Sequence, residues 1–568
     1  MDQLLGQFVR TAYHCDFHEP PVHPKNYRPV TGRIFSIDGA TAFRPYFFLK
    51  FNAFFCMAQA DGFVSRAADR QEGDYMTPSA NRMGSYGEST VLSKEHFKAQ
   101  ELLKKASMAA AVFHQFNQQQ VDRIVERTCH AGFQHRVRLA KMAQEETGLG
   151  IWQDKAMKNV FATQFVHESI RNEITVGVVA HDEAHGITEI AEPMGPLFIK
   201  VPLSSPTATV LFMILVALKS RNPLLISPSS RTLQCCAETA RVCYQAALEA
   251  GAPEDCIQWL DESSREMDHA IMAHPDLALI VAMGRPELIQ AALRSGTPAI
   301  ASMPGHVPVL IDSSADIPFA VQNIVASKTF DNGTLFASEQ AVVVEEKNAA
   351  AIVREFEKCN AYFLKPPEIK QLEATLFEPD GGPVLKPACI GQPVETLAKM
   401  AGITVPAGTR LLIARQEKIG DEYPLSGAKL APVLAFYVRP NFEGASNLCI
   451  ELNSHGDACH VAAIYANNEL VIQTFSDLMK VGYVMVNMPA SLGAIGGIFN
   501  RLKTSLLMSC GASGKAITSD NITARHLLNL KRVYRRRDNE RWKNFPKDNF
   551  LDEHRTLNTV LEEYNRNY

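Results

Sequence analysis

VPLSSPTATVLFMILVALKSRNPLLIS, residues 201–227, holds the pattern that decides the fold. Ser205 reads as a helix N-cap and Pro206 as the first helical residue, where a missing N–H is harmless. The helix gives way to PLLIS, residues 223–227, a short buried strand. The next helix, SRTLQCCAETARVCYQAALEAG, ends at Gly251. CIQWL, LALIVAM, PAIASM and VPVLI follow as short apolar runs, with helical SREMDHAIMAHP and RPELIQAALRSG between them. Short apolar strands divided by helices imply right-handed βαβ units and a parallel sheet covered on both faces.

Upstream, residues 97–132 and HRVRLAKMAQEETGLG predict long amphipathic helices, the second closed by Gly148 and Gly150. Downstream, KTFDNGTLFASEQAVVVEE, residues 328–346, runs from a helix through a glycine-containing turn into a strand over Ala341–Val344. Such a turn can hold a side chain at the mouth of a cleft. A second α/β region extends from about 316 to 500, and no solenoid-type repeat is visible.

The 568 residues are enough for a large core and more than one domain. A net charge of −4 provides no whole-chain attraction to nucleic acid or anionic lipid. The 12 cysteines form no CxxC pair, which argues for a reduced, cytoplasmic setting and against structural zinc or any other metal. The start, MDQLLGQFVR, lacks a secretory pattern. The apolar segment YFFLKFNAFFCMAQADGFV carries Lys50, Asn52, Gln59 and Asp61 and makes a poor membrane span. Residues 1–95 therefore read as a partly disordered extension. The run KRVYRRRDNERWKNFPKD opens a basic tail over 531–568; a solvated tail or linker explains it better than nucleic-acid binding.

Over about 98–530 the chain resembles the acylating branch of the aldehyde dehydrogenases, above all the N-terminal half of bifunctional aldehyde–alcohol dehydrogenases. The collinear segments include AEPMGPL, VPLSSPTAT, LKSRNPLLISPSSR, SGTPAIASMPGHVPVLID, SKTFDNGTLFASEQ, KLAPVLAFY and NMPASLGAIGG. The resemblance implies two Rossmann-like parallel-sheet domains, a dinucleotide-binding one over 96–315 and a catalytic one over 316–500. It also implies a return to the first domain and an oligomerisation element over 501–530. The family's chemistry uses a cysteine thiolate, an oxyanion donor, NAD and coenzyme A.

Carried onto this chain, the resemblance implies altered chemistry. The nucleophile position before Ala337-Ser338-Glu339-Gln340 is Phe336, whose ring cannot attack a carbonyl. The oxyanion position is Ser205, although the N-cap role explains that serine as fully. Ser227 and Pro228 fall at cofactor-binding positions. The glycine-rich phosphate turn has become Gly284-Arg285-Pro286-Glu287, where Arg285 attracts a phosphate and Glu287 repels one. The ribose-contacting glutamate position is Ala428, and a further cleft loop reads Pro304-Gly305-His306. His460 matches the family histidine beside the nucleophile. Adjacent Cys459 reads as a structural thiol, since neighbours on an extended segment face opposite ways.

These positions imply a weakened NAD site and a non-catalytic family member that forms a homo-oligomer or co-assembles with an active relative. The alternative is an active NAD-dependent acylating dehydrogenase with an unorthodox site. A third possibility is a binder acting through the tail at 531–547.

Overall fold

The computed structural model describes residues 93–379, 384–455, 461–509, 511, 516 and 518–566. The readings placed on the first 92 residues, and those on Cys459 and His460, lie outside the described residues.

The antiparallel strands β1 (Gly177–Asp182) and β2 (Ile187–Pro193) precede the first parallel sheet. That sheet comprises β3 (Leu197–Lys200), β4 (Leu224–Ser227), β5 (Ile257–Trp259), β6 (Leu279–Met283) and β7 (Ala299–Ser302), in the order β5-β4-β3-β6-β7. The chain winds outward from β3 in both directions, so a topological switch point lies between β3 and β6. Its strands are apolar on both sides because both sides are covered. Leu197, Ile199, Leu224, Ile226, Leu279 and Val281 enter one core, while Phe198, Leu225, Ile280 and Ala282 enter another. This is the two-residue alternation of an extended chain.

The helix Pro206–Lys219 is buried along its whole length, as residues 201–227 require. It packs in the first core beside the helices Gln118–Gln134 and Leu233–Glu249. Each large aliphatic side chain buried there stabilises the fold by about 1.5–3 kcal/mol. The upstream segment 97–132 is not one helix. It breaks between Lys94–His114 and Gln118–Gln134, where Asn117 and Gln120 form a reciprocal capping box. Asn117 Oδ1 accepts from the Gln120 N–H at 3.0 Å, and Gln120 Oε1 accepts from the Asn117 N–H at 2.9 Å.

The second parallel sheet holds β8 (Pro308–Ile311), β9 (Ala341–Glu345), β10 (Ala361–Phe363), β11 (Leu411–Arg415), β12 (Val433–Arg439), β13 (Val461–Tyr465) and β14 (Tyr483–Val486). Its order is β10-β11-β12-β9-β8-β13-β14. VPVLI therefore does not belong with the first domain. β8 pairs with β9 and β13, and the change of sheet falls between β7 and β8 rather than near residue 315.

The basic tail also needs correction. β15 (Leu528–Tyr534) crosses the expected boundary at 530/531 and pairs antiparallel with β2, completing a three-stranded sheet β1-β2-β15. Lys531 pairs with Glu192 and Arg532 with Glu189 across that ladder. Arg536 and Lys543 both reach Asp538. Helices over Glu540–Asn544, Asp548–Leu551 and Leu557–Arg566 follow. Among the described residues, no helix is long and apolar enough to cross a membrane.

Candidate functional site

The turn singled out in the sequence lies between the helix Ile317–Thr329 and β9. Two consecutive non-glycine residues there adopt left-handed backbone, Asp331 at φ 48° and Asn332 at φ 53°. Each such residue carries strain on the order of 1–3 kcal/mol and needs surroundings that hold it. For Asp331 the surroundings are explicit. Its Oδ1 accepts from the Ile151 N–H at 2.7 Å, and its own N–H donates to Asp154 Oδ2 at 2.7 Å. Its Oδ2 receives the ammonium groups of Lys155 at 3.0 Å and Lys158 at 2.5 Å. All three charged side chains are buried.

Lys155 and Lys158 stand three apart on the helix Trp152–Val160, so they share a face. Lys155 also donates to the Ser204 carbonyl at 3.0 Å. Lys158 donates to Thr334 Oγ1 at 2.9 Å and reaches Ser205 Oγ at 3.0 Å. Burial pushes Lys158 down to about 8, against the opposing pull of Asp331. Burial likewise pushes Asp154 up to about 6. For Asp331 burial acts upward, but the lysines, Lys158 first, hold its carboxyl below the usual range.

Above this floor lies a cavity of about 40 Å³. Lys158, Ser204, Ser205, Met283, Thr334 and Phe336 are among its lining residues. The structure thus brings together two of the expected site residues, Phe336 and Ser205. It adds Lys158 and Thr334, which the sequence reading missed. The available signal was the spacing of Asp154, Lys155 and Lys158 in an amphipathic helix, together with Asp331 in the quoted turn.

Ser205 departs from its simpler expectation. It occupies the N-cap position and Pro206 follows at the start of the helix, yet its side chain makes no capping hydrogen bond. The hydroxyl is engaged with Lys158 instead. The loop carrying Pro304, Gly305 and His306 meets the same turn, with the Gly305 N–H donating to the Phe336 carbonyl at 3.2 Å. The His306 ring lies 5.8 Å from that of His455, centroid to centroid.

Behind the turn is a second buried polar group. Glu339 Oε1 accepts from the Ala490 N–H at 2.7 Å, and Lys328 donates to Gln340 Oε1 at 2.9 Å. Burial pushes Glu339 up to about 7 and Lys328 down to about 7. Lys429, beside the half-buried Ala428, is buried and donates to the Leu425 and Gly427 carbonyls at 2.6 and 2.7 Å.

Of the expected dinucleotide positions, Ser227, Pro228, Gly284 and Arg285 fall at the carboxyl ends of the first sheet, where open α/β sheets bind ligands, whereas Ala428 lies in the loop before β12 of the second sheet. They fit a dinucleotide in part. Gly284 keeps φ at 129°, a Cβ there would meet nothing within 4 Å, and Arg285 is exposed beside it. Ser227 is fully buried and turned inward. Its Oγ donates to Asp268 Oδ1 at 2.5 Å and accepts from Lys200 Nζ at 3.0 Å. Lys200 closes the link to Asp268 at 2.8 Å and to the Pro228 carbonyl at 3.0 Å. Ser227 and Pro228 therefore brace the strand ends. Among the described residues, no group of three or more His, Cys, Asp and Glu side chains could hold a metal.

Comparison with known proteins accords with this architecture. The family model described as "Aldehyde dehydrogenase family" matches residues 81–365. The chain is 37% identical over 450 residues to the bifunctional aldehyde-alcohol dehydrogenase AdhE of Escherichia coli K12, covering 78% of this chain and 50% of that protein. It is 39% identical to an aldehyde-alcohol dehydrogenase of Clostridium acetobutylicum, covering 78% and 52%. It thus spans about half the length of these curated relatives. A crystal structure of an acetylating aldehyde dehydrogenase from Geobacillus thermoglucosidasius superimposes with a TM-score of 0.76 at 38% identity, covering 78% of this chain and 98% of that one. With both the sheet architecture and these matches in place, this chain belongs to the aldehyde dehydrogenase family and is homologous to its acylating members.

Proposed function

We propose that the chain does not perform the cysteine-dependent aldehyde oxidation of its relatives and acts instead through retained binding and assembly surfaces. One observation carries the reading: a phenyl ring, Phe336, lines the cavity beside Ser205 and Thr334, at the position that the resemblance reserves for the nucleophile. A phenyl ring has no lone pair for a carbonyl carbon and occupies room that an aldehyde needs. Ser227 braced by Asp268 and Lys200 supports a weakened NAD site. The alternative, an active acylating dehydrogenase with an unorthodox site, draws on the identity to bifunctional relatives.

Assembly as a homo-oligomer, or with an active relative, is supported by the thin sheet β1-β2-β15, which leaves Val178, Leu530, Val533 and Tyr534 exposed. Cross-strand ion pairing of Lys531 and Arg532 favours this assembly over a nucleic-acid role for the tail. A cytoplasmic setting is supported by the free thiols of the described cysteines.

The test is NADH formation from acetaldehyde, coenzyme A and NAD, with the natural chain beside Phe336→Cys. The natural chain should show none, and any turnover should come with the restored thiol. Ordinary turnover by the natural chain, unchanged by the substitution, would overturn the reading. Titration with NAD and NADH should give weak binding at most.

A further inference from the structure

We propose that residues 539–566 form a docking surface for the same segment of a second copy of this chain, the two segments lying antiparallel. The segment follows the stretch that resembles the family. The proposal goes beyond assembly through the sheet β1-β2-β15 and does not depend on it.

Contacts within the segment hold it together. Phe545 and Val560 are buried. The Phe545 ring lies 4.7 Å from that of Phe550 and 5.3 Å from that of Tyr564, centroid to centroid, and Trp542 lies 6.4 Å from Phe550. Arg555 clamps both carboxylate oxygens of Glu563, at 2.8 and 3.0 Å. Arg541 donates to Asn565 Oδ1 at 2.9 Å, which ties the helix Glu540–Asn544 to the helix Leu557–Arg566.

So small a core leaves apolar surface outside it. Trp542 and Phe550 are exposed, and Leu551 beside them is 75% exposed. Leu557, at 72%, and Leu561 stand four apart on one face of their helix, flanking the stripe of Val560 and Tyr564 that turns inward. A groove along the outer face of this helix is lined by Asn558, Leu561, Glu562 and Asn565. Single exposed apolar side chains are ordinary, but a concentration of large ones in so short a segment marks an interaction surface.

The charge pattern selects the occupant. Residues 535–547 carry six basic side chains and two acidic ones, a net charge of +4, whereas residues 548–566 carry five acidic and two basic, a net charge of −3. The basic half holds Trp542, with Lys547 over its ring at 4.3 Å, and the acidic half holds Leu551, Leu557 and Leu561. A two-fold axis sets the basic half of one copy against the acidic half of the other and makes the reverse contact at the same time. Each charge excess then meets its opposite, and the exposed apolar side chains of the two copies cover one another. An anionic membrane would match the basic half alone and repel the acidic one.

The test mixes isotopically light and heavy full chains, exchanges them at high salt, returns them to low salt and adds a zero-length carbodiimide, which joins an ammonium to a carboxylate. Links between light and heavy chains are expected, from Lys543 or Lys547 to Asp552, Glu553 or Glu562. Their yield should fall at least about tenfold between about 0.1 and 1 M salt, as the screening length drops from about 10 to about 3 Å. Leu557→Glu with Leu561→Glu should weaken association at least about tenfold in sedimentation velocity. Thermal unfolding should not change, because both leucines are exposed. Lys543→Glu with Lys547→Glu should weaken it too, and mixing that variant with one carrying Glu553→Lys and Glu562→Lys should restore it. Association through β1-β2-β15 would persist in the leucine variant yet give no links between these peptides, which separates the two surfaces. Links confined to light–light and heavy–heavy pairs would mean that each acidic half reaches its own chain, and would overturn the proposal. So would an absence of links, a yield indifferent to the leucine substitutions, or capture by phosphatidylserine vesicles without mixed links.

Discussion

The floor of the cleft and the carboxyl ends of the first sheet both place charged side chains at the edge of a core, and they do so differently. On the floor, Asp331 is fully enclosed and joined to two lysines, the Ile151 N–H and the Asp154 carboxyl, so each partner fixes the others. At the sheet ends, Lys200, Ser227 and Asp268 form a smaller closed knot, while Arg285 and Glu287 beside it face solvent. An enclosed network restricts which residues the fold tolerates, because removal of one partner strands the others without water. A solvent-facing turn imposes no such restriction.

Three substitutions sharpen this contrast. Asp331→Ala should have the largest effect, destabilising the chain by about 3–5 kcal/mol in urea unfolding, because two buried ammonium groups lose their counter-charge. A loss below about 1 kcal/mol would mean that the floor is not an interdependent unit. Lys200→Met should come next, at about 2 kcal/mol, since Asp268 loses a charged donor but keeps Ser227. Arg285→Ala should fall within about 0.5 kcal/mol in the same experiment, as expected for an exposed side chain away from the core. Equal effects for Asp331 and Arg285 would dissolve the distinction altogether.

The strands were legible in the sequence because each is a short run of apolar residues with both faces covered, so no partner had to be known. PLLIS and LALIVAM needed nothing beyond themselves. VPVLI was legible as a strand, yet its sheet was not, since pairing with β9 and β13 depends on segments far downstream. Ser205 was correctly placed at a helix start, but the direction of its hydroxyl is set by Lys158, 47 residues away. The Asp331-Asn332-Gly333 run is a local cue for left-handed backbone, but the partners that hold Asp331 there, Ile151, Lys155 and Lys158, lie more than 170 residues earlier and leave no mark in the turn itself. KRVY looked like free basic tail for a similar reason: its acidic partners, Glu189 and Glu192, belong to a strand more than 330 residues earlier.

That last pairing has a consequence for how the molecule is made. A ribosome delivers Ile187–Pro193 early and Leu528–Tyr534 only after both parallel sheets have emerged. Until then β2 has β1 on one side and a bare ladder of amides and carbonyls on the other. The seal on that edge is among the last contacts available to the nascent chain, and a product cut short before residue 528 would carry its adhesive margin open to whatever strand it met first.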